Sequence, residues 1–162
     1  MTSKEKSYTY EDEKAWRQVS FSWATAYNTK DWPLLDSIAA PQVQMLVSEV
    51  DSRGSNKTVP KAEYIARFSS KAMLGDERIA SQHLLGAANF EVKGPTSAIG
   101  HWQIQVGLYR KLADGNLREW TVASYVDHMY ERIDGIWKLA GFRPHTKLWE
   151  RGEMYDVLGE FD

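Results

Sequence analysis

The chain has 162 residues, a length that suits one domain built around a single hydrophobic core. Its 20 Lys and Arg residues nearly balance its 22 Asp and Glu residues, so the formal charge is −2 and we expect no basic surface for nucleic acid. It has no cysteine, which excludes disulfides and thiolate sites, and no apolar run long enough to cross a membrane.

The N-terminal part of the chain predicts two helices. The first six residues are polar and lack the apolar core of a signal peptide, so we expect a cytoplasmic protein. Thr9 and Asp12 have the spacing of a capping box, and large apolar residues then recur at helical spacing, which predicts a helix over 9–28. Asp31 can cap a second helix over 32–39.

The middle of the chain predicts a strand, a polar turn and a third helix. Apolar and polar residues alternate over 42–50, as they do in a half-buried strand. The polar segment 51–57 is typical of a turn and is the best candidate for a mobile loop. Pro60 then begins a helix over 60–73, which ends before Gly75.

After Gly75 the pattern changes to that of an antiparallel meander. Turn-forming residues separate four strand-like segments near 79–92, 98–112, 118–133 and 136–142. The predicted fold is therefore α+β, with a cone-shaped, curved and mainly antiparallel sheet covered by three N-terminal helices. Such a cone encloses a pocket, and we expect a single domain over 1–162 whose function lies inside that pocket.

Four histidines are candidates for acid–base chemistry. His83 lies in an apolar segment, where a histidine is more often a hydrogen-bonded core residue than a catalyst. His101 alternates with Gln103 and Gln105 on the polar face of its strand, which we expect outside the pocket and at a subunit contact. The remaining two, His128 and His145, receive no role from the sequence.

No pattern in the chain predicts a metal ion or a cofactor. The histidines and carboxylates lack metal-ligand spacing, and no glycine-rich phosphate loop is present. Glu49, Asp51 and Asp127 lie in or beside strands, where a solvated face is the simplest interpretation. The 20 aromatic residues suit either a dense core or an aromatic-lined cavity, and composition alone does not distinguish these.

Several segments together resemble scytalone dehydratase of the fungal melanin pathway. They are 23–32, 69–76, the Ser81-Gln82-His83 motif, 130–138 and 140–149, in the same order along nearly the whole chain. The resemblance implies a cone-shaped fold, a homo-oligomer that is a trimer, and a buried pocket that eliminates water from a small molecule without a metal or cofactor.

The resemblance also assigns site residues. It places the catalytic tyrosine, histidine and serine at Tyr27, His83 and Ser124, and it puts Asn28 where the family has an aspartate that orients the histidine. The family's second tyrosine, second histidine and an asparagine fall at Val47, Leu108 and Val126, so the pocket is more apolar than the family pattern. The expected substrate-binding residues are Trp23, Val47, Glu49, Val50, Met73, Val106, Leu108, Val126 and Tyr155.

Two functions are compatible with the sequence. The first is a cofactor-free enzyme of fungal polyketide or secondary metabolism that dehydrates, cyclises or isomerises a small intermediate, with His83 as acid or base and Tyr27 as the carbonyl donor. The second is a non-catalytic module of the same fold that binds a small ligand or serves as an assembly partner. Turnover, as against stoichiometric binding, distinguishes the two.

Overall fold

A computed structural model describes residues 7–161 and shows the α+β architecture that the sequence predicts. The first six residues, on which the expectation about a signal peptide rests, lie outside the described part of the chain. Within 7–161, no helix is long and apolar enough to cross a membrane.

Helix α1 (Tyr10–Thr29) confirms the predicted capping box. The Thr9 hydroxyl accepts a hydrogen bond from the Asp12 backbone N–H, and the Asp12 carboxylate accepts one from the Thr9 backbone N–H, both at 3.1 Å. The helix ends at Lys30, whose positive φ of 58° closes the last turn. One face is buried and carries Trp16, Val19, Ser20, Trp23 and Tyr27 towards the sheet.

Two shorter helices follow α1. Helix α2 (Trp32–Ile38) is capped by the Asp31 carboxylate, which accepts a hydrogen bond from the Leu34 N–H at 3.0 Å. Helix α3 (Lys61–Phe68) ends five residues earlier than the predicted 60–73, because the chain folds into tight turns after Phe68. Gly75 permits this turn, since a Cβ there would lie 1.8 Å from the Ser69 carbonyl oxygen.

Six strands form one sheet, and their bounds are β1 (Ala39–Met45), β2 (Lys57–Pro60), β3 (Ile79–Gly94), β4 (Ser97–Lys111), β5 (Leu117–Ile133) and β6 (Ile136–Arg151). Their order is β2-β1-β6-β5-β4-β3. Every neighbouring pair is antiparallel except β1 and β6. The sheet curves without closing, and the helices pack on its concave face, so the predicted cone is confirmed.

The structure corrects several predicted bounds. Strand β1 begins at Ala39 and ends at Met45, so Pro41 lies inside a strand, at a register irregularity with β6 that tolerates a missing N–H. The predicted turn over 51–57 runs into β2, which pairs with β1. Strand β6 continues to Arg151, far beyond the predicted end at residue 142, because it pairs with β5 along its length.

The C-terminal segment folds back over the open end of the cone. A short helix, α4 (Met154–Val157), was not predicted. Arg110 is fully buried beneath this segment and donates to the carbonyls of Val157 at 2.6 Å and Gly159 at 3.2 Å. The same guanidinium donates to the Asp76 carboxylate at 2.6 Å, so the ion pair holds Arg110 in place while its hydrogen bonds to the two carbonyls fasten the segment to the sheet.

Candidate functional site

A cavity of about 180 Å³ lies between the concave face of the sheet and helices α1, α3 and α4. It is smaller than the roughly 300–1,000 Å³ of pockets for drug-sized ligands, which favours a small substrate. The inner end is buried, because Trp23, Tyr27 and Ser124 are each at most 5% exposed. Apolar side chains form most of its wall, including Met45, Phe68, Ile104, Trp120, Val122, Phe142 and Met154.

His83 borders the cavity and is held from behind by Asn28, as predicted from the resemblance. Asn28 Oδ1 accepts hydrogen bonds from the His83 backbone N–H at 2.8 Å and from His83 Nδ1 at 3.0 Å. Because a backbone N–H can only donate, the Asn28 atom facing it is the oxygen, and Nδ1 therefore carries the imidazole proton. The second ring nitrogen, Nε2, keeps its lone pair and is free to accept a proton from a molecule in the pocket.

The surroundings of His83 favour its neutral form. The Trp23 and Tyr27 rings contact the imidazole edge to face, at centroid distances of 5.3 and 5.1 Å. Burial lowers the pKa of His83 to about 3 from its ordinary value of 6.5. Part of the His83 side chain faces the cavity and can contact water there. A substrate that displaces this water completes the desolvation of the imidazole. His83 is therefore a neutral imidazole at physiological pH.

Tyr27 reaches the cavity in partnership with a second tyrosine that the sequence did not single out. Its hydroxyl lies 2.8 Å from that of Tyr64, a fully buried residue of α3. Burial raises the pKa of both phenols, so both remain protonated and able to donate. Since Tyr64 has no access to the cavity, a Tyr64-to-Tyr27 hydrogen bond leaves the Tyr27 proton available to a ligand.

Ser124 lies on β5 at a register irregularity between β5 and β6. Ala123 pairs with Trp149 and Tyr125 with His145, so the β6 segment opposite Ser124 is longer by two residues. This bulge bends β6 and brings Pro144 and Lys147 to the cavity rim, while Ser124 points inward. The structure thus brings Ser124 into the same space as His83 and Tyr27.

Most of the other predicted binding residues also line the cavity. These are Trp23, Val47, Val50, Met73, Val106, Leu108, Val126 and Tyr155. Glu49 does not line it; this residue is exposed and accepts a hydrogen bond from the Thr146 backbone N–H at 2.9 Å. Asn28 lies behind His83 rather than in the cavity wall. Tyr155 donates to the Asp51 carboxylate at 2.7 Å, so Asp51 is part of the pocket and not of a solvated face.

Two histidines lie on the opposite face of the sheet. His101 and His145 both contact one oxygen of Asp127, at 2.8 and 3.1 Å, and Arg143 donates to the other oxygen at 2.8 Å. Asp127 is only 5% exposed, so the expectation of a solvated carboxylate is wrong there. As predicted, Gln103 and Gln105 are exposed on this outer face and do not line the cavity.

The fourth histidine, His128, is completely buried behind Trp23. Trp102 Nε1 donates to the Tyr130 hydroxyl at 2.9 Å, and Ser20 Oγ lies 2.6 Å from that hydroxyl and 2.7 Å from His128 Nδ1. The Ser20 hydroxyl therefore bridges the Tyr130 hydroxyl and His128 Nδ1, and it gives the buried imidazole a hydrogen-bond partner. The imidazole edge packs against the Trp23 ring, 4.6 Å between centroids.

Burial of His128 makes stability depend on pH. Its pKa is lowered to about 3, whereas the unfolded chain has the ordinary value near 6.5, so the unfolded state binds the proton more readily. The stabilisation is complete above pH 6.5 and is lost as the pH falls towards 3. We expect His128→Gln to reduce the pH dependence of the unfolding free energy in this window by about 1.4 kcal/mol per pH unit. Urea unfolding at several pH values measures the slope, and an unchanged slope would contradict the assignment.

Asn28 offers a direct test of the contact with His83. Replacing it by aspartate places a negative charge against Nδ1, which stabilises the imidazolium. We expect Asn28→Asp to raise the pKa of His83 by about one pH unit or more, measured by NMR titration. Asn28→Leu is the matched control, since it removes the hydrogen bond without adding charge and should leave the pKa low. An unchanged titration in Asn28→Asp would show that the contact is absent.

No sequence pattern singled out Tyr64 or the charged residues at the cavity rim, Lys57, Arg67 and Lys147. Tyr64 had a helical, apolar setting that is typical of a core residue, and no signal linked it to Tyr27.

In the described range 7–161, no group of three or more His, Asp or Glu side chains is placed to hold a metal ion.

The chain is similar to known proteins in both its sequence and its fold. Residues 7–160 match the family described as scytalone dehydratase. Scytalone dehydratase arp1 of Aspergillus fumigatus is 32% identical over 98% of this chain and 96% of its own length. Scytalone dehydratase of Colletotrichum orbiculare is also 32% identical, over 99% of this chain and 86% of its own length.

Solved structures share the fold at much lower identity. A protein of Kribbella flavida, Kfla4162, superposes with a TM-score of 0.76 at 15% identity, over 91% of this chain and 96% of its own. A hexachlorocyclohexane dehydrochlorinase, LinA type 2, superposes with a TM-score of 0.68 at 15% identity, over 88% and 89% of the two chains. At these identities the likeness concerns the fold alone.

Proposed function

The chain belongs to the scytalone dehydratase family, a family of hydro-lyases, and on that premise we propose that it eliminates water from a small intermediate of fungal secondary metabolism. The mechanism rests on the hydrogen bond of 3.0 Å between Asn28 and His83, from which we infer an unprotonated Nε2 that is available in the cavity lined by His83, Tyr27 and Ser124. The proposed reaction uses these side chains alone, with no cofactor and no metal ion.

The proposed substrate is a ring with a carbonyl group and a hydroxyl on the second carbon from it. Tyr27 donates its proton to the carbonyl oxygen, and Tyr64 supports this by donating to Tyr27. A stronger hydrogen bond to the carbonyl as it gains negative charge lowers the barrier to removing a proton from the adjacent carbon. Tyr64 acts through Tyr27 and is a positioning residue.

His83 handles the proton in both halves of the reaction. Nε2 accepts the proton from the carbon between the carbonyl and the hydroxyl-bearing carbon, and that electron pair becomes the new double bond as the C–O bond breaks. The imidazolium then gives the proton to the departing hydroxide, which leaves as water. Ser124 orients the leaving hydroxyl. Because one imidazole serves both transfers, the proton and the hydroxyl leave from the same face of the ring.

The low pKa of His83 limits which substrates can react. A weakly basic imidazole removes only an acidic C–H proton, and its conjugate acid returns the proton readily. The reaction therefore suits a substrate whose product is aromatic, for which acid–base help of about 10²–10⁴-fold is sufficient. Because Val47, Leu108 and Val126 are apolar, the cavity wall selects its substrate by shape and desolvation. The same wall can fold a flexible substrate for cyclisation or isomerisation.

A panel of hydroxylated naphthalenones, scytalone among them, tests the proposal. The purified chain, treated with EDTA, should convert at least one of these β-hydroxy ketones to a product that has lost water, detected by mass spectrometry. A product of unchanged mass would identify cyclisation or isomerisation instead. Tight stoichiometric binding without any turnover would contradict an enzymatic role.

We also propose that the chain assembles as a homotrimer through the outer face of the sheet. This face carries the exposed side chains of Gln103, Gln105, Leu84 and Trp149, and contact with another copy would remove the apolar surface of Leu84 and Trp149 from water. Light scattering at micromolar concentration should give three times the mass of one chain. A strict monomer would contradict the assembly and leave the chemistry of the pocket unaffected.

A further inference from the structure

The open end of the cavity carries cationic side chains, although the proposed dehydration requires no charge there. Among residues 7–161, four charged residues line the cavity, and three of them are the cations Lys57, Arg67 and Lys147. Arg67 and Lys147 are exposed, in contrast to the buried Tyr27 and Ser124 at the inner end. The cavity therefore has an apolar interior and a cationic rim.

The negative charges nearby leave Arg67 available. Asp51, the fourth charged lining residue, already accepts a hydrogen bond from Tyr155 at 2.7 Å. Lys57 Nζ lies 3.7 Å from Glu63 Oε1, and Lys147 Nζ lies 3.0 Å from Glu150 Oε1. The Arg67 guanidinium has neither an ion pair within 4.0 Å nor a side-chain hydrogen bond to any residue of the described range 7–161.

We propose that the substrate carries a carboxylate, which Arg67 binds at the rim while the ring system lies in the apolar interior. This inference deepens the proposed function and rests on it. A guanidinium matches a carboxylate with two parallel hydrogen bonds, whereas a neutral hydroxyl or ester forms weaker ones. Lys57 and Lys147 are already paired with Glu63 and Glu150, so the proposed contact rests on Arg67.

Helix α3 links the two ends of the proposed binding mode. It carries Tyr64, which supports the carbonyl donor Tyr27, and one turn later it carries Arg67 at the rim. Residues three apart lie on one side of a helix, so α3 fixes the separation between carbonyl and carboxylate. A substrate that is held at both ends presents one carbon to His83. Contacts remote from the reacting carbon therefore orient the substrate for proton removal.

The test uses two probes with the same ring system, 1-naphthoate and its uncharged methyl ester, with binding measured by isothermal titration calorimetry. The intact chain should bind the acid at least about tenfold more tightly than the ester. Arg67→Gln should remove this preference and leave the affinity for the ester unchanged. Arg118→Gln, which removes an exposed arginine outside the cavity, is the matched control and should keep the preference.

Three results would overturn the assignment of Arg67. The first is equal affinity for the acid and the ester, or no binding of either. The second is a preference for the acid that survives Arg67→Gln. The third is a preference for the acid that only Lys147→Gln removes. These readouts do not depend on turnover. Dehydration of a neutral β-hydroxy ketone by a chain that shows no preference for the acid would reject the carboxylate and leave the proposed function intact.

Discussion

His83→Ala should lower kcat for dehydration by about 10²-fold or more, with a small change in KM. The variant keeps the cavity and its carbonyl donor but has no group to carry the proton between the carbon and the leaving hydroxyl. The His83 ring is only partly buried and hydrogen-bonded to one side chain, so the fold should survive its removal. Steady-state kinetics on the panel substrate that turns over fastest measures the effect.

The control for this prediction is His101→Ala. This histidine lies on the outer face of the sheet against Asp127, and its loss should leave kcat within about twofold, as expected for a site remote from the chemistry. Val126→Phe provides the second comparison, because it fills the cavity without removing an acid–base group. If filling the cavity costs more kcat than removing the imidazole, shape rather than proton transfer dominates catalysis.

Arg110→Met should lower the free energy of unfolding by about 3 kcal/mol or more. The substitution leaves the Asp76 carboxylate without its buried partner and removes the donors to the Val157 and Gly159 carbonyls. Arg78 still pairs with Asp76 at 2.9 Å, which keeps the loss near the lower end of the range for buried ion pairs. Urea unfolding measures the change.

The same substitution should open the cavity. The segment that Arg110 fastens carries Met154, Tyr155 and Leu158, which line the pocket, so its release should raise KM and expose the C-terminus to proteolysis. Arg118→Met changes the exposed arginine that pairs with position 110 across the two strands and should alter stability by less than about 0.5 kcal/mol. A loss below about 1 kcal/mol in Arg110→Met would show that the buried guanidinium does not fasten the segment.

Local sequence patterns correctly predicted the features that depend on interactions between residues close in the sequence. The capping box at Thr9 and Asp12 starts α1 as expected, and the period of two along β4 correctly separates Gln103 and Gln105 from the cavity. Bounds set by distant pairing were missed. β6 extends to Arg151 only because β5 runs beside it, and β2 exists because β1 supplies its hydrogen bonds.

The resemblance placed the three catalytic candidates in one cavity, and residue types alone would not have done so. Tyr64 and Arg67 were missed because a single tyrosine and arginine on an amphipathic helix look like a core residue and a solvated one. Their roles depend on where α3 packs, at Tyr27 and at the rim. Glu49 was assigned to the pocket incorrectly, since β1 ends at Met45 and the turn that follows directs this side chain outward.

The proposed dehydration depends on one tautomer of His83, in which Asn28 holds the proton on Nδ1 and Nε2 is unprotonated. The most direct measurement is the ¹⁵N NMR spectrum of the histidine side chains at neutral pH, with His83 assigned by the signal that His83→Gln removes. We predict a neutral ring protonated at Nδ1, unchanged on acidification well below the ordinary pKa of 6.5. An imidazolium at neutral pH, or a proton on Nε2, would contradict the account.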